Sequence, residues 1–259
     1  MATTSAAEQL TSTLLEQAFS PIDQKEALLA EYRLLAEAYV NMDHSMAVLS
    51  DFQEDKSYLY VGKFGEVFGL PCGSDVIDSA FEECIFRKIH PDDLTERHIL
   101  ELSYFEYLKH LPSESRRHYS TSSRIRALNV SEEYSYVNHR TIYLKSLPNH
   151  SIWLALCTYA PSTDLLPRNG IDGKIVNNQT GELIPFESYK HYGHKILSRR
   201  EAEVLVLVAQ GLGSKQIADQ LNIAVYTVRR HRQNIIEKMR VSNATEAVKT
   251  AMLMGIILP

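Results

Sequence analysis

The chain has 259 residues, 44% of them hydrophobic and 23% charged, and a formal net charge of −5. This is the composition of an ordinary globular protein with room for two domains, and no apolar run reaches the roughly 18 residues needed to cross a bilayer. The N-terminus lacks the basic start and apolar core of a signal peptide. Cys72, Cys84 and Cys157 are widely spaced, which argues against a disulfide framework or zinc site. We expect a cytoplasmic protein with reduced thiols and no membrane association.

Charge is unevenly distributed along the chain. Residues 195–259 contain 10 basic and 5 acidic side chains, whereas residues 1–194 contain 17 basic and 27 acidic ones. This asymmetry predicts a basic C-terminal module aimed at a polyanion and carried by an acidic module with a different task.

Helices are predicted over residues 6–43, with a break at "SPID" where Ser20 and Pro21 fit a helix start. The second helix, "KEALLAEYRLLAEAYVNM", spaces Leu28, Leu29 and Leu35 among Ala, Glu and Arg. Two interpretations remain open for it: packing on its own domain, or dimerisation with a second chain.

Residues 46–160 change to strand patterns around a helical middle. "MAVLSDF" and "SYLYVG" predict two strands joined by a polar turn, and "LTERHILELSYFEYLKHL" predicts an amphipathic helix. Asp92 or Asp93 near its start suits the helix dipole. The runs "TSSRIRALN", "YSYVNHRTIYLK" and "SIWLALCTYA" then predict an antiparallel meander.

Two strands, a helical middle and three strands is the order found in PAS domains, and "SYLYVGKFGEVFGL" and "IHPDDL" resemble that family over roughly residues 40–160. The resemblance implies an antiparallel five-stranded sheet with helices, which often encloses a small ligand or cofactor. The sequence identifies neither the ligand nor its binding residues. A module that dimerises or binds a partner without any ligand is the alternative.

Several residues in this region raise functional alternatives. His90 could bind haem iron, and Cys72, Cys84 or Cys157 could sense oxidants. We prefer a structural role for "HPDD", because Pro91 and the two aspartates suit the first turn of a helix.

Residues 161–194 follow as an added element. "GKIVNNQTGELIPF" predicts a hairpin around "NNQTG", and "ESYKHYGHK" predicts a linker. His191 and His194 could meet a metal, but no third ligand is in view, so we predict no metal site.

Residues 195–259 carry clear helix signals. Ser198 and Glu201 have capping-box spacing, Gly211 ends the helix that they begin, and Ser214 can cap "KQIADQL". The connection "NIAV" allows a tight turn before the basic run "VRRHRQNIIEKM". Asn243 then begins a last helix, predicted to end at Gly255.

The basic run resolves into three faces at 3.6 residues per turn. The apolar face holds Val225, Val228, Ile235 and Met239; the second holds Tyr226, Arg229, Arg230 and Gln233; the third holds Thr227, His231, Asn234 and Lys238. Such a helix after a short helix and a tight turn predicts a helix-turn-helix, whose second helix enters the DNA major groove.

The run from "LSRREAEVLVLVAQG" to "NATEAVKTA" resembles the LuxR-type (NarL/FixJ) DNA-binding domain. The matching residues are Leu197, Arg200, Glu201, Val204, Leu205, Gly211, Lys215, Ile217, Ala218, Leu221, Thr227, Val228, His231, Asn234, Ile235, Lys238 and Val241. Three positions depart from the pattern: Ala224 replaces a capping Ser or Thr, Ala244 a common Arg, and Arg229 a usual Lys. The resemblance implies a four-helix domain that dimerises through its last helix.

Residue roles follow from this resemblance. We expect Arg229, Arg230 and Gln233 to contact base edges, because arginine reads guanine and glutamine reads adenine through two bonds each. We expect Lys215, Thr227, His231 and Lys238 to contact phosphates. The last helix presents Ala247, Val248, Ala251 and Met252 for dimerisation, with packing on its own bundle as the alternative. Double-stranded DNA, a second copy of the chain and RNA polymerase are the implied partners.

The predicted fold class is α+β, with an N-terminal PAS-like antiparallel sheet and a C-terminal all-α helix-turn-helix domain. The predicted segments are 1–45 (helices), 46–160 (PAS-like sensor), 161–194 (hairpin and linker) and 195–259 (DNA-binding domain). We predict a dimeric bacterial transcriptional regulator that senses a signal. The alternative is a signalling module whose C-terminal domain binds a protein partner instead of DNA. No Gly-rich phosphate loop, paired catalytic motif or metal-ligand cluster occurs, so we predict no enzyme; a hidden active site in residues 46–160 is the remaining enzymatic alternative.

Overall fold

The computed structural model describes residues 6–167, 170–185, 197–239, 241, 243–253 and 256–257. The chain forms two compact units. The sheet unit comprises residues 12–94 and 108–184, and the helical unit comprises residues 1–11, 95–107 and 185–259. These units are defined by packing and differ in their limits from the four sequence segments, whose boundaries remain predictions.

The strands form one antiparallel sheet. They are β1 Met46–Asp51, β2 Lys56–Val61, β3 Gly73–Ile77, β4 Tyr119–Leu128, β5 Tyr134–Ser146, β6 Ile152–Pro161 and β7 Lys174–Asn177, in the spatial order β3-β2-β1-β6-β5-β4-β7. The central strands β2, β1, β6, β5 and β4 are the predicted five, and the predicted fold class is confirmed.

The described sheet has seven strands where the sequence predicted five, because one edge strand was missed and another comes from the added hairpin. β3 was missed because "GSDVI" contains residues disfavoured in strands and lies exposed at an edge, so it shows no buried alternation. β7 pairs with β4, and a bridge joins Val176 to Leu183 across the turn that contains Gly181 at φ 74°. The predicted linker, with His191 and His194, lies outside the described residues.

Among the described residues, two helices precede the sheet, and the sequence predicted the start of the first but not of the second. α1 is Ala6–Leu15 and α2 is Lys25–Asp43, separated by the predicted break. The predicted start of α2 at Ser20 and Pro21 was wrong, since the helix begins after Gln24, which has a left-handed φ of 56°.

Both faces of the sheet are covered, which explains why β1 is buried along its whole length. On one face, Leu29, Ala36 and Val40 of α2 pack in a cluster with Leu49 and Trp153. On the other face, the 3₁₀ helix Lys63–Phe68 and the short helix α3, Glu83–Phe86, help to line a small apolar cavity. Its wall includes Met46, Phe68, Ile85, Ile125, Val137 and Tyr159.

The helix α4, Pro91–Lys109, begins at the "HPDD" motif, and the short α5, Ser113–Arg116, precedes β4. The carboxylate of Asp93 is almost fully buried and accepts hydrogen bonds from the backbone N–H of Arg126, at 2.7 Å, and from its guanidinium. The backbone N–H of Asp92 donates to Nδ1 of His90 at 3.3 Å. These contacts agree with the structural interpretation of the motif.

The C-terminal helices are α6 Arg199–Ala209, α7 Ser214–Leu221, α8 Val225–Met239 and α9 Ala244–Leu253. The predicted capping box is confirmed, because the Ser198 hydroxyl accepts from the Glu201 N–H and the Glu201 carboxylate accepts from the Ser198 N–H at 2.7 Å. Gly211, at φ 84°, follows the end of α6 as expected.

The predicted cap of α7 was wrong. Ser214 is the first helical residue and Gly213 occupies the N-cap position. The Gly213 N–H donates to the side chain of Gln216 at 2.9 Å, because a glutamine three residues along the helix can reach back. The cap of α9 is confirmed, since Asn243 accepts from the N–H of Glu246 at 2.9 Å. Its predicted end at Gly255 lies outside the described residues.

One apolar core holds the helical unit together. Its fully buried residues include Val204 of α6, Ile217 of α7, and Val228 and Met239 of α8. Ile99 belongs to the same core. Across the part of the chain that the structure describes, no helix is both long and apolar enough to span a membrane.

Candidate nucleic-acid interface

The helix α8 is fixed by one side and exposed on the other. Val228, Ile235 and Met239 are buried, as predicted, and the helix packs against α6, α7 and α9. The opposite side carries exposed Tyr226, Arg229, Arg230 and Gln233. The helix therefore presents this polar side, which we call the reading face, from a rigid support.

Arg229 and Arg230 are exposed and form no hydrogen bond or ion pair with another residue that the structure describes. Among the described residues, no acidic side chain forms an ion pair with either of them. An arginine in this state can offer both of its outer nitrogens to a guanine.

Gln233 shares the reading face but has an internal partner. Its Nε2 donates to Oε1 of Glu237 at 2.9 Å, one helical turn further on. To donate and accept with an adenine, the amide must give up this hydrogen bond, so Glu237 competes with the predicted role.

The residues predicted to contact phosphates differ in exposure. Lys215 is exposed near the start of α7, whereas Thr227 and His231 are half-buried on α8. Nδ1 of His231 is buried and forms no hydrogen bond within the described residues. A phosphate would therefore be met by Nε2 of this ring. Contacts of all three to DNA remain predictions.

Lys238 has a partner inside its own domain. Its Nζ lies 2.7 Å from Oε2 of Glu201, and the side chains are 18% and 3% exposed. Burial alone would raise the pKa of Glu201, but Lys238 and Ser198 outweigh it and hold that pKa below its usual value. Lys238 thus ties the end of α8 to the start of α6. The predicted contact between Lys238 and a DNA phosphate stays a prediction, and the ion pair with Glu201 competes for the same ammonium group.

Other basic residues of the domain also hold the fold. Nη2 of Arg200 donates to the carbonyl of Leu221 at 2.8 Å, at the end of α7, and Nη1 pairs with Glu203 at 2.7 Å. Arg232 reaches the hydroxyl of Ser214 at 3.5 Å. Sequence reasoning missed the contacts to Leu221 and Ser214, because partners 21 and 18 residues away leave no local pattern.

The residues predicted to form a dimer on α9 lie mostly inside the chain. Ala247 and Ala251 are fully buried in the core of their own domain, and Val248 and Met252 are partly buried against it. The alternative of packing on its own bundle therefore accounts for the two alanines. A dimer through this helix stays a prediction, for which Val248 and Met252 are the accessible residues.

The histidine and cysteines of the sheet unit that could act as sensors lie in surroundings that do not favour metal binding or thiol reactivity. The ring of His90 lies 4.9 Å from that of Tyr134, and no group of three metal-ligating side chains occurs among the described residues. Cys72 and Cys84 are exposed; a hydrogen bond to Glu66 raises the pKa of Cys72, and partial desolvation raises the pKa of Cys84. Cys157 is buried. Raised thiol pKa values disfavour the reactive thiolate.

Comparison with known proteins identifies the family of the C-terminal helices. The family model "Bacterial regulatory proteins, luxR family" matches residues 195–251. The oxygen regulatory protein NreC of Staphylococcus epidermidis is 31% identical over 140 residues, and NreC of Staphylococcus aureus is 29% identical over 143 residues. Each match covers 50% of this chain and 62% of the relative's length. The family and these relatives are named as regulatory proteins.

Two solved structures are similar over larger parts of the chain. Vibrio cholerae VqmA in a complex with ligand and DNA is 14% identical, with 89% of this chain and 91% of that chain covered and a TM-score of 0.29. A PAS domain from Colwellia psychrerythraea is 14% identical, with coverages of 52% and 98% and a TM-score of 0.32. Scores this low support no conclusion, so the description of the sheet rests on its strand order.

Proposed function

We propose that this chain, whose residues 195–251 are a LuxR-type helix-turn-helix domain, is a bacterial transcriptional regulator that binds DNA as a dimer and receives a signal through its PAS-like sheet. The observation that carries the proposal is the pair Arg229 and Arg230, exposed and without acidic partners among the described residues, on a helix whose other side is buried. We place the protein in the cytoplasm, with RNA polymerase as the partner that its binding to DNA regulates.

In this proposal α8 enters the major groove with its reading face toward the bases. Arg229 and Arg230 read guanine, and Gln233 reads adenine after leaving Glu237. Lys215, Thr227 and His231 meet phosphates and hold the register. Lys238 contributes to the same phosphate surface only to the extent that it leaves Glu201.

The sheet unit is the proposed sensor. Its cavity between the sheet and the neighbouring helices is small and has an apolar wall. At about 10 Å³ the cavity has room for no more than one water molecule, so a small apolar ligand would have to part its walls, and its binding would be detected as a rise in the thermal stability of the full chain.

A protein partner in place of DNA is the second candidate, and Tyr226 favours it. Its side chain is 76% exposed at the start of α8, and exposed tyrosines beside arginines are typical of protein-binding hot spots. The two candidates differ in salt dependence, because DNA binding releases condensed counterions and weakens steeply as salt rises.

The test is binding of the full chain to DNA fragments from upstream of its own gene across a salt series. We expect Arg229→Ala or Arg230→Ala to weaken binding by about 1–3 kcal/mol and to relax the preference at one base pair. Lys215→Ala should lower the salt slope by about 0.9.

Arg199→Ala is the matched control, since it removes the same charge from a side chain that is 95% exposed on α6. We expect it to leave binding nearly unchanged. If the full chain binds none of the fragments even at low salt, the DNA-binding proposal is wrong and the protein partner becomes the better candidate.

A further inference from the structure

Helix α2 has two apolar faces, and only one of them is covered. The inner face, with Leu29, Ala36 and Val40, is buried against the sheet. The outer face leaves four large apolar side chains in solvent, which we call the outer stripe. They are Leu34, Leu35, Tyr39 and Met42, with exposed fractions of 66%, 57%, 37% and 78%.

The outer stripe has the spacing of a helix-pairing seam. Two further exposed residues, Glu31 and Ala38, complete this seam with Leu35 and Met42 of the stripe, so that Glu31, Leu35, Ala38 and Met42 follow each other at intervals of four, three and four residues. Apolar residues at alternating intervals of three and four stay on one side of a helix and pack into a facing helix. Ala38 adds a small side chain, which lets a second helix approach closely.

The exposed area is large for a surface that stays in water. Four side chains with these exposures present an apolar patch on the order of 400 Å², in a range where patches commonly mark interaction sites. A helix of 19 residues is about 28 Å long. One side of it, with the neighbouring small residues, approaches the roughly 800 Å² per partner of a standard protein interface.

We propose that the outer stripe binds the outer stripe of a second copy of this chain, with the two α2 helices antiparallel. This inference rests on the proposed function, which requires a dimer. It deepens that function by naming the surface that joins the two chains. A two-fold axis makes such an interface self-complementary, so that one stripe suffices for both sides.

The charge on the stripe selects the direction. Glu31 is the one charged residue of the seam, and a parallel pair would set it against Glu31 of the partner subunit, at a cost from like charges. An antiparallel pair centred between Leu35 and Ala38 sets Leu35 against the partner's Ala38. It also sets Glu31 beside the partner's Met42, whose flexible thioether accommodates irregular neighbours.

A second copy of the chain is the best-supported occupant, because the other predicted dimer surface, on α9, is largely buried. The small residues Ala247 and Ala251, predicted to form the dimer on α9, are fully buried in their own domain. The outer stripe offers more exposed apolar surface than the partly buried Val248 and Met252 on that helix. A foreign protein partner is less well supported, because the four side chains of the stripe are all apolar and carry no charge pattern that would select one.

The first experiment measures the oligomeric state of the full chain, without DNA, by sedimentation velocity at micromolar concentration. We expect the wild type to be a dimer and Leu35→Glu with Met42→Glu to be a monomer with unchanged circular dichroism. Leu166→Glu is the matched control, because Leu166 is 71% exposed elsewhere in the sheet unit; it should remain a dimer. A monomeric wild type, or a stripe variant that still dimerises, overturns the proposal.

The direction is tested by cysteine cross-linking in a chain with Cys72→Ser and Cys84→Ser. In the antiparallel pair, residue 42 lies about 16 Å along the axis from residue 42 of the partner, so Met42→Cys alone should not cross-link. Glu31→Cys with Met42→Cys should cross-link efficiently. Cross-linking of the single variant would mean a parallel pair and would contradict the proposed direction.

The two proposals fail in different ways. A wild type that dimerises through the stripe but binds no DNA supports this inference and refutes the proposed function. A wild type that is monomeric in solution refutes the inference, while its DNA affinity in the salt series still decides the function.

Discussion

Nζ of Lys238 lies 2.7 Å from Oε2 of Glu201, which joins the last turn of α8 to the first turn of α6 across 37 residues of sequence. The carboxylate also accepts the backbone N–H of Ser198. This pair holds α8 by its C-terminal end, while the apolar core holds its inner side. Removing one member leaves the other poorly solvated.

We expect Lys238→Met to destabilise the helical unit by about 3 kcal/mol, because it leaves a buried carboxylate without its cation. Urea unfolding followed by circular dichroism would measure the loss. Lys215→Met is the control, since Lys215 is exposed and its removal should change stability by less than about 0.5 kcal/mol. Equal effects of the two substitutions would contradict a structural role for the pair.

The lowered pKa of Glu201 makes the helical unit sensitive to acid. Its folded pKa lies below the unfolded value of about 4.3, so the folded state binds fewer protons where the two states differ. The stabilisation is present above pH 4.3 and is lost as pH falls through the folded pKa. Glu201→Gln should lower stability at neutral pH and flatten its decline in acid. Glu237→Gln, at an exposed position, should keep the wild-type profile.

Glu237 should weaken DNA binding in the wild type. It accepts the hydrogen bond from Gln233 on the reading face and carries a negative charge beside the proposed phosphate surface. We expect Glu237→Ala to bind a target fragment several-fold more tightly, about 0.5–1 kcal/mol, with the larger gain at low salt. Titrations of the same fragment with wild type and variant would measure it. Weaker binding by the variant would mean that Gln233 needs Glu237 to hold its orientation.

Asp93 should be essential for the sheet unit. Its buried carboxylate receives hydrogen bonds from the backbone and guanidinium of Arg126, and Asp93→Asn replaces one acceptor oxygen by a donor. We expect a loss of roughly 3 kcal/mol in the unfolding free energy. Asp92→Asn is the control, because that carboxylate is 39% exposed and lies 4.0 Å from the same guanidinium, so its loss should cost less than about 1 kcal/mol. A stable Asp93→Asn protein would argue against the role of this pair.

Sequence reasoning was most accurate where the determinants are local. Ser198, Glu201, Gly211 and Asn243 marked helix ends correctly, because a capping side chain and its backbone partner lie within a few residues of each other. It failed at β3, where an exposed edge strand has no buried side to create alternation. It also failed at Ser214, because the side chain of Gln216 satisfied the N–H at the preceding position.

The sequence by itself therefore determined the antiparallel sheet, the C-terminal helices and the reading face, since periodicity and short-range hydrogen bonds specify these within one element. Only the tertiary structure decided which charges remain available. Arg200 and Lys238 are bound to a carbonyl and a carboxylate far away along the chain, whereas Arg229 and Arg230 have no such partner in the part of the chain that the structure describes. It also decided that α2 covers the sheet with one apolar face and leaves the other exposed. The sequence does not distinguish the paired arginines and lysines from the unpaired ones, or the covered face of α2 from the exposed one. They differ because tertiary packing places a partner next to some of them and leaves the others in contact with water.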